Sequence, residues 1–137
     1  MKLLDFVVCD DIRFETGNKA SLMGVYNDSM FLTAQAGVAI KWPVVVRLGV
    51  YARLLAEKEK ASPNRFLLDI SHENNVLTHS EGELEIQDLS RPFALALPLA
   101  QLPIPGPGHL TFRLLFQRDS DVVSDIIVDR PFAINRP

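Results

Sequence analysis

The stretch HLTFRLLFQ, His109 to Gln117, places Leu110, Phe112, Leu114 and Phe116 at every second position, with Thr111, Arg113 and Gln117 between them. An extended strand puts alternate residues on one face, so this segment predicts a strand with one side packed inward and the other toward water. Leu115, on the otherwise polar side, predicts that both faces of some strands are covered. Comparable runs follow one another along the chain: VVVRLGVYARL from Val44, RFLLDISH from Arg65, FALALPL from Phe93 and VVSDIIVD from Val122. Turn residues separate them at Pro43, Ser62-Pro63, Asn74-Asn75, Gly106-Pro107-Gly108 and Asp119-Ser120. Short runs rich in Val, Ile, Leu and Phe, broken by such residues, predict strands and tight turns. The expected fold is all-β, a single-domain antiparallel β-sandwich of about eight strands over residues 1–137, immunoglobulin-like or C2-like, with at most one short helix.

That helix would be LLAEKEKA, Leu54 to Ala61, built of good helix formers and stopped by Ser62-Pro63, although the same residues also suit an exposed loop. Met30 to Gln35 suits either a helix or a strand. Prolines at 98, 103, 105 and 107 cannot donate to a sheet ladder, which predicts an edge or a corner there. Gly17-Asn18 tolerates positive φ and predicts a hairpin between the strand around Phe14 and Ala20 to Tyr26. A strict two-residue loop would set Arg13 against Leu22 and Asp10 against Val25. Val44 to Arg53 is the predicted edge strand for a homodimer.

Composition narrows the function. The 14 basic and 17 acidic residues leave a net charge of −3, with no block of like charge. Nothing in that balance attracts nucleic acid or a membrane surface. Residues 1–9, MKLLDFVVC, are interrupted by Asp5 and are too short for a signal-peptide core. Phe93 to Pro107 is too short to span a bilayer and carries four prolines. The single cysteine, Cys9, allows no internal disulfide and fits a reducing compartment. The expected location is cytoplasmic.

Asp10-Asp11 follows an apolar run. If the strand is regular, adjacent side chains point to opposite faces, so the two carboxylates cannot converge on one ion or substrate. Asp11 shares a face with Arg13 and Glu15 and reads as solvated; Asp10 interrupts the apolar face of Phe6, Val8, Ile12 and Phe14. A carboxylate there needs partners. Either a bulge turns it outward, or it accepts backbone N–H groups or an arginine and holds a corner of the sandwich.

The N-terminal block CDDIR, 9 to 13, followed by SLMGVY, 21 to 26, a later PGPGHLTFRL strand and a closing RPFAI strand, resembles a family of short bacterial proteins to which no activity is assigned. The resemblance implies a small β-sandwich and assigns no catalytic residue or ligand.

Candidate chemistry is sparse. A hairpin turning at Asn74-Asn75 would set His72 near Leu77 and His79 near Ile70, offset from each other, and a zinc site needs three or four converging ligands. Asp119 and Asp121, with Asp125 and Asp129 beyond, are weak metal candidates; calcium needs six to eight oxygens, while aspartate also closes turns without any ion. No nucleophile elbow, P-loop, dinucleotide fingerprint or H-E-x-x-H occurs, and Cys9 has no base nearby in sequence, so only tertiary contact could bring it His72 or His109. Trp42 either plugs the core or contributes to an interface. The sequence points to a non-catalytic, cofactor-free module that binds a protein partner or itself, with Asp10, Asp11, Arg13 and Trp42 as structural or interface candidates; the alternative is a sandwich that binds calcium or a small ligand through its aspartate loops.

Overall fold

A computed structural model describes residues 1–135. Its strands are β1 (Lys2–Glu15), β2 (Lys19–Val25), β3 (Met30–Thr33), β4 (Val44–Leu55), β5 (Arg65–His72), β6 (Asn75–Glu83), β7 (Phe93–Ile104), β8 (Gly108–Arg118) and β9 (Asp121–Asn135). They form a four-stranded sheet ordered β2-β1-β4-β7 and a five-stranded sheet ordered β3-β9-β8-β5-β6. The expected all-β sandwich is present, with the short β3 raising the strand number above eight. One neighbour relation departs from the antiparallel expectation: β3 runs parallel to β9, Met30 opposite Phe132.

The alternation in β8 translates directly into the core. Leu110, Phe112 and Phe116 are fully buried and Leu114 nearly so. They meet Val8, Leu48, Val50, Ala52 and Leu54 of the other sheet in one apolar cluster, and the Phe6 and Phe112 rings cross the gap edge to face at 5.5 Å. Each fully buried side chain of this kind contributes roughly 1.5–3 kcal/mol relative to exposure. Leu115, on the outer face of β8, is half-buried. Trp42 packs at the core margin, its ring edge-on to Phe132 at 6.5 Å, the structural alternative for this residue.

Two expectations change. Leu54 and Leu55 finish β4, and the residues after them form a loop, so there is no helix among the described residues. The cluster in the core claims Leu54, which outweighs the helix propensity of the segment. β4 is not an edge: β1 and β7 flank it on both sides. Its inner face, Leu48, Val50, Ala52 and Leu54, is buried in the core, while Val45, Arg47 and Arg53 on the outer face are exposed. The edges of that sheet are β2 and the proline-bearing β7, the latter as its prolines predict.

Turn chemistry sets two registers. Asp119 (φ 50°) and Ser120 (φ 76°) form a two-residue turn between Arg118 and Asp121. Between β5 and β6 the turn is Glu73 (φ 46°) and Asn74 (φ 69°), one residue earlier than Asn74-Asn75, so that His72 faces Asn75.

Candidate functional site: the β1–β2 hairpin and the cleft beneath it

The predicted hairpin forms, but its loop has three residues, Thr16, Gly17 and Asn18. Gly17 (φ 86°) and Asn18 (φ 58°) supply the positive φ that closes it. Arg13 therefore faces Ser21 instead of Leu22, and Cys9 faces Val25. The register is the same on both sides of Asp10, so no shift occurs in this pair of strands.

Asp10 is accommodated from across the hairpin. Gly24, its opposite number, has φ 65°, and a Cβ there would fall 2.3 Å from Asp10 Oδ2. The exposed carboxylate takes this space and accepts a 2.7 Å hydrogen bond from the Tyr26 hydroxyl. A tyrosine thus fills the place expected for a backbone N–H or an arginine. Burial first, then the bond to Asp10 and its charge, push Tyr26 up to about 12. Asp11 turns elsewhere: its Oδ1 accepts the Ile12 N–H at 3.0 Å and its Oδ2 lies 4.0 Å from Arg47. The pair shares no partner. Arg13 is exposed on the Asp11 side and makes no ion pair among the described residues.

Beyond Cys9, which faces Gly49, β1 parts from β4. Cys9 and Ile12 are both buried although three positions separate them, which a flat regular strand does not allow. Both lie on Gly49: a Cβ there would fall 2.6 Å from Ile12 Cγ1 and 3.0 Å from Cys9 Sγ. The missing side chain lets the hairpin lean over the outer face of its own sheet. Beneath it opens a cleft of about 450 Å³ with Tyr51, Ala94 and Ala96 on one side and Phe14 and Ala20 on the other. Phe14 is 66% exposed at its mouth. The Cys9 thiol has the Asp11 and Gly49 carbonyls as alternative acceptors for its one proton, at 3.4 and 3.5 Å, and its burial pushes it up, away from thiolate.

β2 is the outer edge of the hairpin, paired with β1 alone. Only Leu22 of its seven residues is half-buried; its one charge is Lys19, it has no proline, and Met23 and Val25 are exposed apolar residues. The other edges differ: β7 carries Pro98 and Pro103, β3 has four residues, and β6 carries His79, Glu81 and Glu83.

Elsewhere, the register of β5 and β6 places His79 opposite Asp69 and not beside Ile70. Its Nδ1 lies 2.5 Å from Asp69 Oδ1 and its Nε2 3.1 Å from Glu81 Oε2. Bonds first to Asp69 and then to Glu81 raise its pKa. A ring held by carboxylates at both nitrogens has none left to act as a base. His72 is buried with Nε2 3.1 Å from the Pro107 carbonyl, and His109 lies in the same corner, where its N–H donates to Glu73. Neither approaches Cys9. Asp119 exchanges side-chain and backbone bonds with Asn64 and lies 3.6 Å from Arg118 Nε, and it lines one shallow hollow with Asp121, beside the cationic Lys60 and Arg118. No group of three or more His, Cys, Asp or Glu residues converges as metal ligands among the described residues.

The fold and this site define a β-sandwich with one open, unblocked sheet edge. Compared with protein-family models and with curated proteins, the chain matches none. No helix among the described residues is long and apolar enough to cross a membrane. The sequence made Gly17, Asp10 and Arg13 visible; it did not reveal the cleft, whose two sides come from Phe14 and from residues far along the chain. Gly49, alone in a dense apolar run, was the local signal for it.

Proposed function

We propose that the protein is a non-catalytic binding module that takes up an extended segment of a protein, its own or another, along β2. The observation that carries this reading is the β2 edge itself, exposed, nearly uncharged and free of proline, where native edges are ordinarily blocked. Main-chain hydrogen bonds along such an edge supply affinity, and adjoining hollows for side chains supply choice. The cleft between Phe14 and Tyr51, lined by Ala94 and Ala96 and also by Glu15, Asn18 and Lys19, offers both apolar surface and polar groups to a side chain of the incoming segment. The inaccessible Cys9 thiol and the doubly held His79 support a non-catalytic role. A free, buried Cys9 also favours the cytoplasm as its place of work.

The test is Ala20→Pro, which removes one N–H from β2. Peptides selected from a displayed library by the wild type should lose binding to the variant while the melting temperature holds. Peptides that bind both proteins equally would overturn the reading.

A further inference from the structure

We infer that two copies of this chain pair through β2, antiparallel, about a two-fold axis at Ser21. The inference rests on the reading of β2 as a binding edge and names its occupant.

The direction of the free backbone groups comes from within the hairpin. The Met23 N–H is turned inward, toward the Cys9 thiol. Successive residues of a strand point their backbone groups to opposite sides, so Ser21 also turns inward while Ala20 and Leu22 present N–H and C=O to the open edge. An antiparallel two-fold partner must pair residues that share a face, which restricts the axis to a residue position. With the axis at Ser21, Ala20 meets the partner's Leu22 and Leu22 meets the partner's Ala20, and about four backbone hydrogen bonds form. The paired segment is Lys19 to Met23, which stops short of Gly24, whose φ of 65° would break a register centred one residue later.

Side chains agree with that axis on both faces. On the cleft side the facing pairs are Ala20 and the partner's Leu22, both apolar. On the other side Lys19 lies along the partner's Met23, whose neighbour across its own hairpin is the partner's Asp11. Lys19 thus stands between its own Glu15 and an acidic end of the other copy, and no like charges face each other. Met23, 43% exposed in the single chain, gains the Lys19 stem as cover. The two four-stranded sheets become one continuous sheet with β2 no longer an edge.

The decisive variants are at Ser21, which faces Arg13 within the chain. Ser21→Glu places an acid opposite Arg13, which favours the hairpin, and opposite its own copy across the axis, which opposes the dimer. Sedimentation across a concentration series should give a wild-type dimer and at least about tenfold weaker association for Ser21→Glu, with an undiminished melting temperature. Ser21→Cys should form a disulfide-linked dimer under mild oxidation, since facing residues there approach to about 4.5 Å at Cα; Val76→Cys, exposed on β6, should not. A wild type that stays monomeric at every concentration, with no Ser21→Cys cross-link, would overturn the inference while leaving a different protein as the occupant of β2. A wild-type dimer that Ser21→Glu leaves intact and Ser21→Cys does not trap would overturn it too, placing self-association on another surface. If the displayed peptides are also indifferent to Ala20→Pro, the binding-edge reading falls with it.

Discussion

The carboxylate of Asp10 occupies the space a side chain on residue 24 would need. Its Oδ2 lies 2.3 Å from where a Cβ on Gly24 would stand. Residues on separate strands are thereby fixed as a pair: the acid is tolerated because its opposite number is a glycine, and the glycine is held at φ 65° beside an acid anchored by Tyr26.

Gly24→Ala should therefore destabilise the protein by roughly 1–3 kcal/mol, the scale of one residue forced into a sparsely populated backbone region. Gly17→Ala is the control, because its φ of 86° is equally unfavourable but nothing lies within 4 Å of its Cβ position. Urea unfolding should show the larger loss at residue 24. Equal losses would mean that the Asp10 contact contributes nothing.

The hairpin's lean depends on Gly49. Gly49→Ala should cost roughly 1–3 kcal/mol by overpacking against Ile12 and Cys9. Adding Ile12→Ala should recover part of that loss, because residues in contact are coupled. A double variant whose losses simply add would show that the two do not meet.

How much of this was legible follows from what each feature depends on. The strands and the Gly17 turn are local: alternation at Leu110, Phe112, Leu114 and Phe116 and a glycine able to take positive φ are enough to predict them. The apolar run of β4 predicts a strand but not its place: it reads as an edge, and only its neighbours β1 and β7, set by distant parts of the chain, put it inside the sheet. His79 falls opposite Asp69 and not Ile70 for two reasons: the turn at Glu73-Asn74 moves the pairing by two positions, and a bulge at Leu77, between the pairs of Ile70 and Ser71, moves it back by one and so changes the face. For Asp10 the conflict was readable and its resolution was not, since the partners Gly24 and Tyr26 are supplied by the opposite strand.

Tyr26 gives Asp10 a spectroscopic signature. Its hydroxyl should ionise at about 12 in the folded protein, against an ordinary value of 10.0. Its folded value is the raised one, so the stability it contributes is complete below about pH 10 and is lost as pH rises through about 12. Asp10→Asn should bring the tyrosinate absorbance step down part of the way, because burial, the largest cause, remains. An unmoved step in Asp10→Asn would exclude the charge of Asp10 as a cause, and an unmoved step in Asp10→Ala, which removes the acceptor, would exclude the hydrogen bond.

His79 carries a second pH dependence with the sign of a base. Its pKa is raised from 6.5 by Asp69 and then Glu81. The added stability is present in full below pH 6.5 and disappears as pH rises through the folded value. His79 and Glu81 are exposed and Asp69 is half-buried, so solvent keeps the effect small. Urea midpoints of the wild type and His79→Gln should differ at about pH 5 and converge by about pH 9. A gap that persists at the higher pH would assign the role of His79 to packing.

The parallel seam between β3 and β9 sets an order of events. β3 is made early, yet the strand it lies against is the last of the nine. Met30 is nearly fully buried in the finished protein, but through most of chain synthesis the partner of its strand does not exist. One margin of the larger sheet therefore stays open until β9 arrives, and closing it joins distant parts of the chain, the kind of contact that slows folding. A nascent chain halted before β9 would carry β3 as a loose, apolar strand in search of a neighbour, with β2 already open on the other sheet.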